Sequence, residues 1–474
     1  MPQALASATD MPAHGDRFSI DRDFGQSASR HCILIEFADP SVAPALASAA
    51  DGTSHYDVRT KLETACSLSL VPASGPAVAA QAAGRFATFQ SSDERPPLEV
   101  VDSVSSELGD KVLTVLPVPD AIPAIGPSSG EPKQWPTFTP DFHTLQGYAA
   151  SAPIGLGFAD VGQLEGADGT GITVLDLEGG WILDHEALQP VRYSLWSGSP
   201  SEASGWLEHG TAVSSILTAP RMGEGIFGLV PAARGALASI FESGAQHVAA
   251  QLMHAQRLLQ PGDVVLMEVQ RPGPTTEFQP DADQHGYIPT SFWPDVRAAV
   301  RSCVSSGISV VEVGGNGGID LGDPVLQGGF GQAGSTENTL GDFDSGSIMV
   351  GAGHAPGETN GLAPMPFSNF GDRLDCQAWG ERVVCAGYGD LWGEPLGKTS
   401  YTRNFFGTSS AAPLIAAVVV AIQGRHLRKY GAPLPPLVLR QALACYGTPQ
   451  AGQATNRIGP QPDLAELFDV LGLY

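Results

Sequence analysis

The sequence predicts an α/β protein: a mostly parallel sheet flanked by helices, preceded by a small α/β N-terminal domain. Three observations lead there. Short runs of Val, Ile and Leu without polar alternation read as strands buried on both faces. Longer amphipathic segments alternate with those runs, the pattern that generates parallel sheets through helical crossovers. Gly and Pro clusters separate one segment from the next. In chain order the main part reads as strand 171–176, helix 209–218, a strand near 235–240, helix 245–259, strand 263–269, helix 291–306, strand 308–313, strand 347–352 and helix 409–423. No repeat of 20–50 residues is visible.

The chain divides by composition. Residues 1–29 form a polar leader expected to be disordered, 30–125 a small α/β domain, 126–145 a Pro/Ser/Gly-rich linker, and 146–474 the main domain. Within the small domain, HCILIEF reads as a strand, DVRTKLETACSLSL as a helix and KVLTVLPVP as a second strand.

Composition sets further bounds. A chain of 474 residues with 42% hydrophobic content holds substantial cores and is not wholly disordered. The net charge of −25 and the lack of a basic cluster argue against nucleic acid or an anionic membrane surface as partner. No apolar run approaches the roughly twenty residues needed to span a bilayer. MPQALASATDMPAHGDRFSID has neither a basic n-region nor an apolar h-region, so no signal peptide is visible and a cytoplasmic or non-classically exported protein is expected. Six cysteines do not make a disulfide scaffold; Cys376 and Cys385 could meet across neighbouring strands or stay as buried thiols.

Four segments carry chemistry. NFFGTSSAAPLIAAVVVAIQG runs a Gly-Thr-Ser turn into an apolar helix with Pro413 in its first turn. This places the Ser409 hydroxyl where unpaired backbone N–H groups and the helix dipole favour an oxyanion. GTGITVLDLEGGWILDHEAL sets Asp176 at the end of a buried strand, before the Gly179-Gly180 break. EHGTAVSSILTAP puts His209 just before a helix opened by Gly210-Thr211. GISVVEVGGNGGIDLGD empties a strand into a Gly-rich loop bearing Asn316, whose amide can donate to an oxyanion without a change of charge.

In this order, Asp, His, Asn, Ser, the four segments resemble the subtilisin-like serine peptidases, the subtilase family. Successive separations are 33, 107 and 93 residues, the latter two longer than in compact members and implying inserted loops. The resemblance extends from about Pro140 to the C-terminus, through MGEGIFGLVPAARGALASIF, SIMVGAGHAPG and FSNFGDRLDCQAWGERVVCAGYGD. It implies that Ser409 attacks a peptide carbonyl, His209 carries the proton, Asp176 orients His209, and Asn316 with the Ser409 N–H holds the tetrahedral oxygen. One departure stands out. Most members follow the aspartate with Ser/Thr-Gly, whereas Leu177-Glu178-Gly179-Gly180 follows here, leaving Asp176 available to His209 and Glu178 as an extra local charge.

By the same resemblance, VVLMEVQRPGPTTEF supplies a strand, Val264 to Val269, that walls the primary specificity pocket. Val269, Gln270, Arg271, Pro272 and Gly273 would line it together with Gly314 and Gly315; a strand followed by an ordinary loop is the other reading. Arg271 would then favour acidic side chains or point to solvent. The partner implied is an extended peptide or protein substrate. The small N-terminal domain resembles the family's propeptides, which fold beside the catalytic domain and block it; an unrelated packing domain is the other reading. No cofactor or metal ligand set is expected, and bound calcium cannot be read from the sequence.

Competing residues read as ordinary. His185 lies in a polar loop and reads as a surface histidine, with Asp184 and Glu186 as a solvated face; His247, His254 and His354 read as polar positions, and Ser410 as a neighbour of the nucleophile. Two rivals frame the expectation: a catalytically impaired, peptide-binding relative, and a nucleotide-binding oxidoreductase suggested by VGAGHAPG. The second is set aside because Pro356-Gly357 prevents a helix from starting there and no complete G-x-G-x-x-G is present.

Overall fold

A computed structural model describes residues 32–47, 56–64, 66, 68–70, 85–92, 95–123, 138–188, 193–221, 223–330, 344–357, 361–452 and 455–474. The expected leader, 1–29, and most of the expected linker, 126–137, lie outside the described residues.

The N-terminal part is a four-stranded antiparallel sheet ordered β2-β3-β1-β4, built from β1 (Cys32–Phe37), β2 (Leu68–Leu70), β3 (Phe86–Ser91) and β4 (Val112–Val118). Helices Tyr56–Thr64 and Pro97–Leu108 accompany it, and Ile33, Ile35, Phe37, Leu62, Phe89, Val100 and Val104 form its core. The expected single helix over DVRTKLETACSLSL ends at Thr64. Leu68-Ser69-Leu70 alternates with period two, and the chain uses it as strand β2 instead. A two-residue strand, β5 (Ile122–Pro123), then leaves this sheet for the main part.

The main part is a seven-stranded, wholly parallel sheet. It comprises β6 (Thr173–Glu178), β7 (Tyr193–Ser197), β8 (Arg234–Ser239), β11 (Val264–Met267), β14 (Ser309–Val313), β15 (Ile348–Gly353) and β16 (Cys376–Trp379), ordered β16-β15-β14-β11-β6-β8-β7. A short hairpin, β9 (Phe241–Glu242) with β10 (Ala245–Gln246), follows β8. Helices Ser204–Thr218 and Thr408–Tyr430 contribute to one buried layer, and Val248–Gln256 and Pro294–Ser305 to the other. The expected parallel sheet and flanking helices are therefore present.

Three boundaries move, each with consequences for the site. Strand β6 continues two residues past Asp176, to Glu178, because Leu177 and Glu178 still pair with Ala238 and Ser239 of β8. The expected strand 263–269 breaks at Glu268. Beyond it, β12 (Val269–Pro272) turns out of the central sheet to pair antiparallel with β13 (Tyr287–Pro289) on one side and β5 on the other. His209 lies inside its helix, not before it, since Ser204–Glu208 already supply the first turns.

Helix Thr408–Tyr430 is long and apolar enough to cross a membrane by length and composition, contrary to the expectation from apolar runs alone. Here 83% of its apolar window is buried inside the protein, where it serves as the core helix of the main part. Pro413 is its sixth residue, one turn deeper than expected, so no residue-413 N–H caps the Ser409 carbonyl. The antiparallel pair β17 (Val383–Ala386) and β18 (Tyr401–Phe405) precedes it. Cys376 on β16 and Cys385 on β17 are both free and buried.

Gly210 permits the close approach between the His209 helix and the loop leaving β6. A Cβ there would stand 2.3 Å from the Gly180 carbonyl oxygen and 2.7 Å from the Trp181 ring. Gly210→Ala is therefore expected to lower unfolding stability by about 1–3 kcal/mol, the usual cost of overpacking, measured by denaturant titration. Unchanged stability would contradict this packing.

Candidate functional site

The site gathers at the carboxyl ends of β6, β11 and β14, where open parallel sheets expose loops. Period-two geometry puts the side chains of Asp176 and Glu178 on the same face of β6, one pleat apart. They meet different partners. Glu178 reaches His209, its Oε2 lying 2.5 Å from the imidazole Nδ1, and both side chains are buried. The Gly179 N–H donates to the other oxygen, Oε1. The loop break after β6 thus fixes the carboxylate that fixes the imidazole, whose ring also meets Phe405 edge-on.

Asp176 does not bond to His209, which corrects the sequence reading. Its Oδ2 accepts hydrogen bonds from the Trp181 indole and the Ser214 hydroxyl, at 2.9 and 2.8 Å, and these hold it deeper beneath the strand end. The side chain that stands one pleat further out, and is one methylene longer, is the one that reaches the ring. Burial, and then the neighbouring Glu178 charge, push the Asp176 carboxyl up from 3.8 to about 7; its two hydrogen bonds and His209 oppose this. Burial likewise raises Glu178 well above the usual carboxyl range, against the pull of the Gly179 N–H.

A third carboxyl, unforeseen in the sequence, completes the cluster. β6 and β11 run parallel with Asp176 opposite Leu266 and Leu177 opposite Met267, so Glu268 emerges beside Glu178. It is fully buried, and neither oxygen has a hydrogen-bond partner among the described residues. Burial raises its proton affinity strongly, and the charges of Glu178 and Asp176 raise it further. The Ser409 hydroxyl is close enough to draw that affinity down slightly, although the two groups do not meet in hydrogen-bond geometry.

Ser409 is the second residue of its helix. The preceding Gly407 has φ +102° and ψ 176°, a conformation that L side chains rarely adopt, and it lets β18 turn directly into the helix. The Ser409 Oγ is buried and makes no hydrogen bond with any described group. Ser410 is occupied instead, donating to the Trp379 and Gly407 carbonyls. Asn316 reaches the same place from β14: its Oδ1 accepts from the Thr408 N–H and hydroxyl, at 2.9 and 3.0 Å, and its Nδ2 donates to Gln284 Oε1 at 3.2 Å. Asn316 is thus locked to the residue before Ser409, an arrangement that the sequence alone did not reveal.

The residues expected to line a pocket separate by strand alternation. Gln270 faces the Gly314–Asn316 loop, and its Oε1 accepts from the Asn316 N–H at 2.7 Å. Arg271 points the other way, contrary to both expectations for it. It is buried over the Trp293 ring, with the charges of Asp120 and Asp295 nearby, so it meets neither solvent nor that loop. Val269 and Gln270 also pair with β5. His185 is buried, not superficial: its Nε2 bonds the Ser400 carbonyl and its Nδ1 accepts from the Ala187 N–H, while burial lowers it to about 4. Glu186 accepts from Thr139 and Tyr401, so of the expected solvated face only Asp184, paired with Lys398 at the surface, remains. No group of three or more His, Cys, Asp or Glu side chains among the described residues is arranged to hold a metal.

No protein-family model matches the sequence, and no curated protein matches it. Solved structures do. Fervidolysin from Fervidobacterium pennivorans, a keratinolytic enzyme related to subtilisin, is similar over 93% of this chain and 61% of its own, with 17% identity and a TM-score of 0.56. EpiP from Staphylococcus aureus, the epidermin leader peptide processing serine protease, is similar over 94% of this chain and all of its own, with 14% identity and a TM-score of 0.55. A protease from Pseudoalteromonas arctica is similar over 71% of this chain, with 15% identity and a TM-score of 0.50, covering 99% of its own length. The chain has a subtilisin-like fold.

The Asp176 environment predicts a pH dependence. With the carboxyl at about 7 when folded and 3.8 as its ordinary value, the folded state alone holds the proton between them. Unfolding there releases a proton, so this group's contribution to stability falls as pH rises from about 4 to about 7. Asp176→Asn keeps an oxygen acceptor for Trp181 and Ser214 without the titration. Its melting temperature is expected to match the unsubstituted protein near about pH 4 and to exceed it near about pH 8; an equal difference at both would contradict the assignment.

Proposed function

We propose that this protein is a serine endopeptidase in which Ser409 is the nucleophile, His209 the base and Glu178 the group that orients His209. The observation that carries this reading is the buried 2.5 Å contact between His209 Nδ1 and Glu178, on a subtilisin-like sheet whose Ser409 begins a core helix. With Nδ1 held by the carboxylate, Nε2 is the ring nitrogen that exchanges the proton. Ser409 Oγ attacks the peptide carbonyl carbon as its proton passes to His209. The C–N bond breaks as His209 returns the proton to the leaving amine, and water then hydrolyses the acyl-serine. The Ser409 N–H and the Asn316 amide are the donors for the tetrahedral oxygen. Asn316 must exchange Gln284 for that oxygen.

The same reading makes residues 30–125 an intramolecular inhibitor. β5 adds antiparallel to β12, as an extended peptide adds to a sheet edge. It is clamped there by Gln246, which both donates to and accepts from the Ala121 backbone, and by the Trp293 indole on the Pro117 carbonyl. A second reading, a relative that binds peptides without cleaving them, draws on the unbonded Ser409 hydroxyl and on an Asn316 amide already engaged.

One experiment separates the two. The full chain is incubated, followed by mass, and then treated with an alkyl fluorophosphonate. Peptidase function predicts a wild type that shortens at its N-terminal side and takes up the probe, and a Ser409→Ala variant that stays intact and unlabelled. A folded wild type that does neither is the binding protein instead.

A further inference from the structure

On the peptidase reading above, a substrate strand would add to β12 as β5 does and present a side chain toward the gap between β12 and the Gly314–Asn316 loop. That gap is closed here. Gln270 Oε1 accepts from the Asn316 backbone N–H at 2.7 Å, so a side chain of one wall bonds directly to the backbone of the other. Gln270 Nε2 donates at 2.7 Å to Gln284 Oε1, which also accepts from Asn316 Nδ2. Both glutamines are fully buried, and Gln284 Nε2 donates to the Pro123 carbonyl of β5 at 3.3 Å. Three of the four side-chain polar groups bond within the gap and the fourth bonds the peptide-like strand, so neither glutamine has an unmet group that would favour moving aside.

Gln284 is pre-set for this role. Its backbone has φ +58°, within a turn closed by its N–H to the Asp281 carbonyl and by the Tyr287 N–H to its own carbonyl. Two hydrogen bonds to the Asp281 carboxylate, from the Asp283 and His285 N–H groups, brace the same turn. A large side chain entering the gap would have to break the Gln270 contact to Asn316 and leave buried amide groups unbonded, an expensive exchange.

We infer that Gln270 and Gln284 restrict the residue on the acyl side of the cleaved bond to a small one, alanine or glycine. This rests on the peptidase reading above and names the substrate class of that site. β5 pairs Ile122 with Gln270 and Pro123 with Val269, and being antiparallel it heads along β12 toward Glu268.

The test uses the full chain after incubation and three phosphorus probes. An alkyl fluorophosphonate reports Ser409 reactivity without using the pocket. Two peptidyl phosphonate diphenyl esters, Ile-Pro-Ala and Ile-Pro-Phe analogues, report the pocket. The alanine probe is expected to react at least about tenfold faster than the phenylalanine probe, and Gln270→Gly to raise the phenylalanine rate at least about tenfold. Equal rates in the wild type overturn the inference, as does fluorophosphonate labelling with no reaction of either peptidyl probe. The wild-type ratio decides even if the variant does not fold. Absence of fluorophosphonate labelling removes the peptidase reading itself, and the pocket assignment with it.

Discussion

The hydrogen bond between His209 and Glu178 organises the site. It joins the last residue of a central strand to the middle of a packed helix, and it forms where neither group reaches solvent. Because burial disfavours lone charges, each group needs the other: the carboxylate gives the ring a fixed tautomer, and the ring gives the carboxylate a partner. The neighbouring parts follow from it. The strand must run to residue 178 to present the carboxylate, Gly179 must follow immediately to donate its N–H, and Gly210 must let the helix approach.

Around that bond the protein places two further carboxyls with no Lys or Arg charge beside them among the described residues. Asp176 is satisfied by an indole and a hydroxyl, a setting that suits a neutral acid better than a charge. Glu268 stands next to Ser409 with no hydrogen-bond partner among the described residues. Three close acids cannot all ionise in a buried space, so the cluster holds protons that an exposed set would release. The opposite side of Ser409 is built from amides: Gln270, Gln284 and Asn316 form a neutral, mutually bonded network up to Thr408. The acidic cluster thus borders Ser409, and the amide network ends on Thr408 just before it.

Much of this was legible from the sequence, and the physical reason is locality. The Gly-Thr-Ser turn, the His209 helix and the Asn316 loop are each set by residues a few positions apart, and the apolar runs declared the parallel sheet. Glu178 was harder. Residues 176 and 178 share a face, and the choice between them depends on Trp181 and Ser214, which only the folded chain brings to Asp176. Arg271 and Gln270 differ by one position and point to opposite environments, decided by a strand break at Glu268 that the hydrophobic run conceals. Glu268 itself becomes meaningful only through the pairing of β11 with β6, and Gln284 through a turn braced by Asp281. His185 reads as superficial in a polar loop and is buried because the segment around Ser400 covers it.

The direct measurement is the proton NMR signal of His209 Nδ1–H in the Ser409→Ala background. A 2.5 Å contact to a buried carboxylate predicts a strongly deshielded resonance that survives Asp176→Asn and disappears in Glu178→Gln. A resonance that survives Glu178→Gln and is lost with Asp176→Asn would return the orienting role to Asp176 and contradict the account.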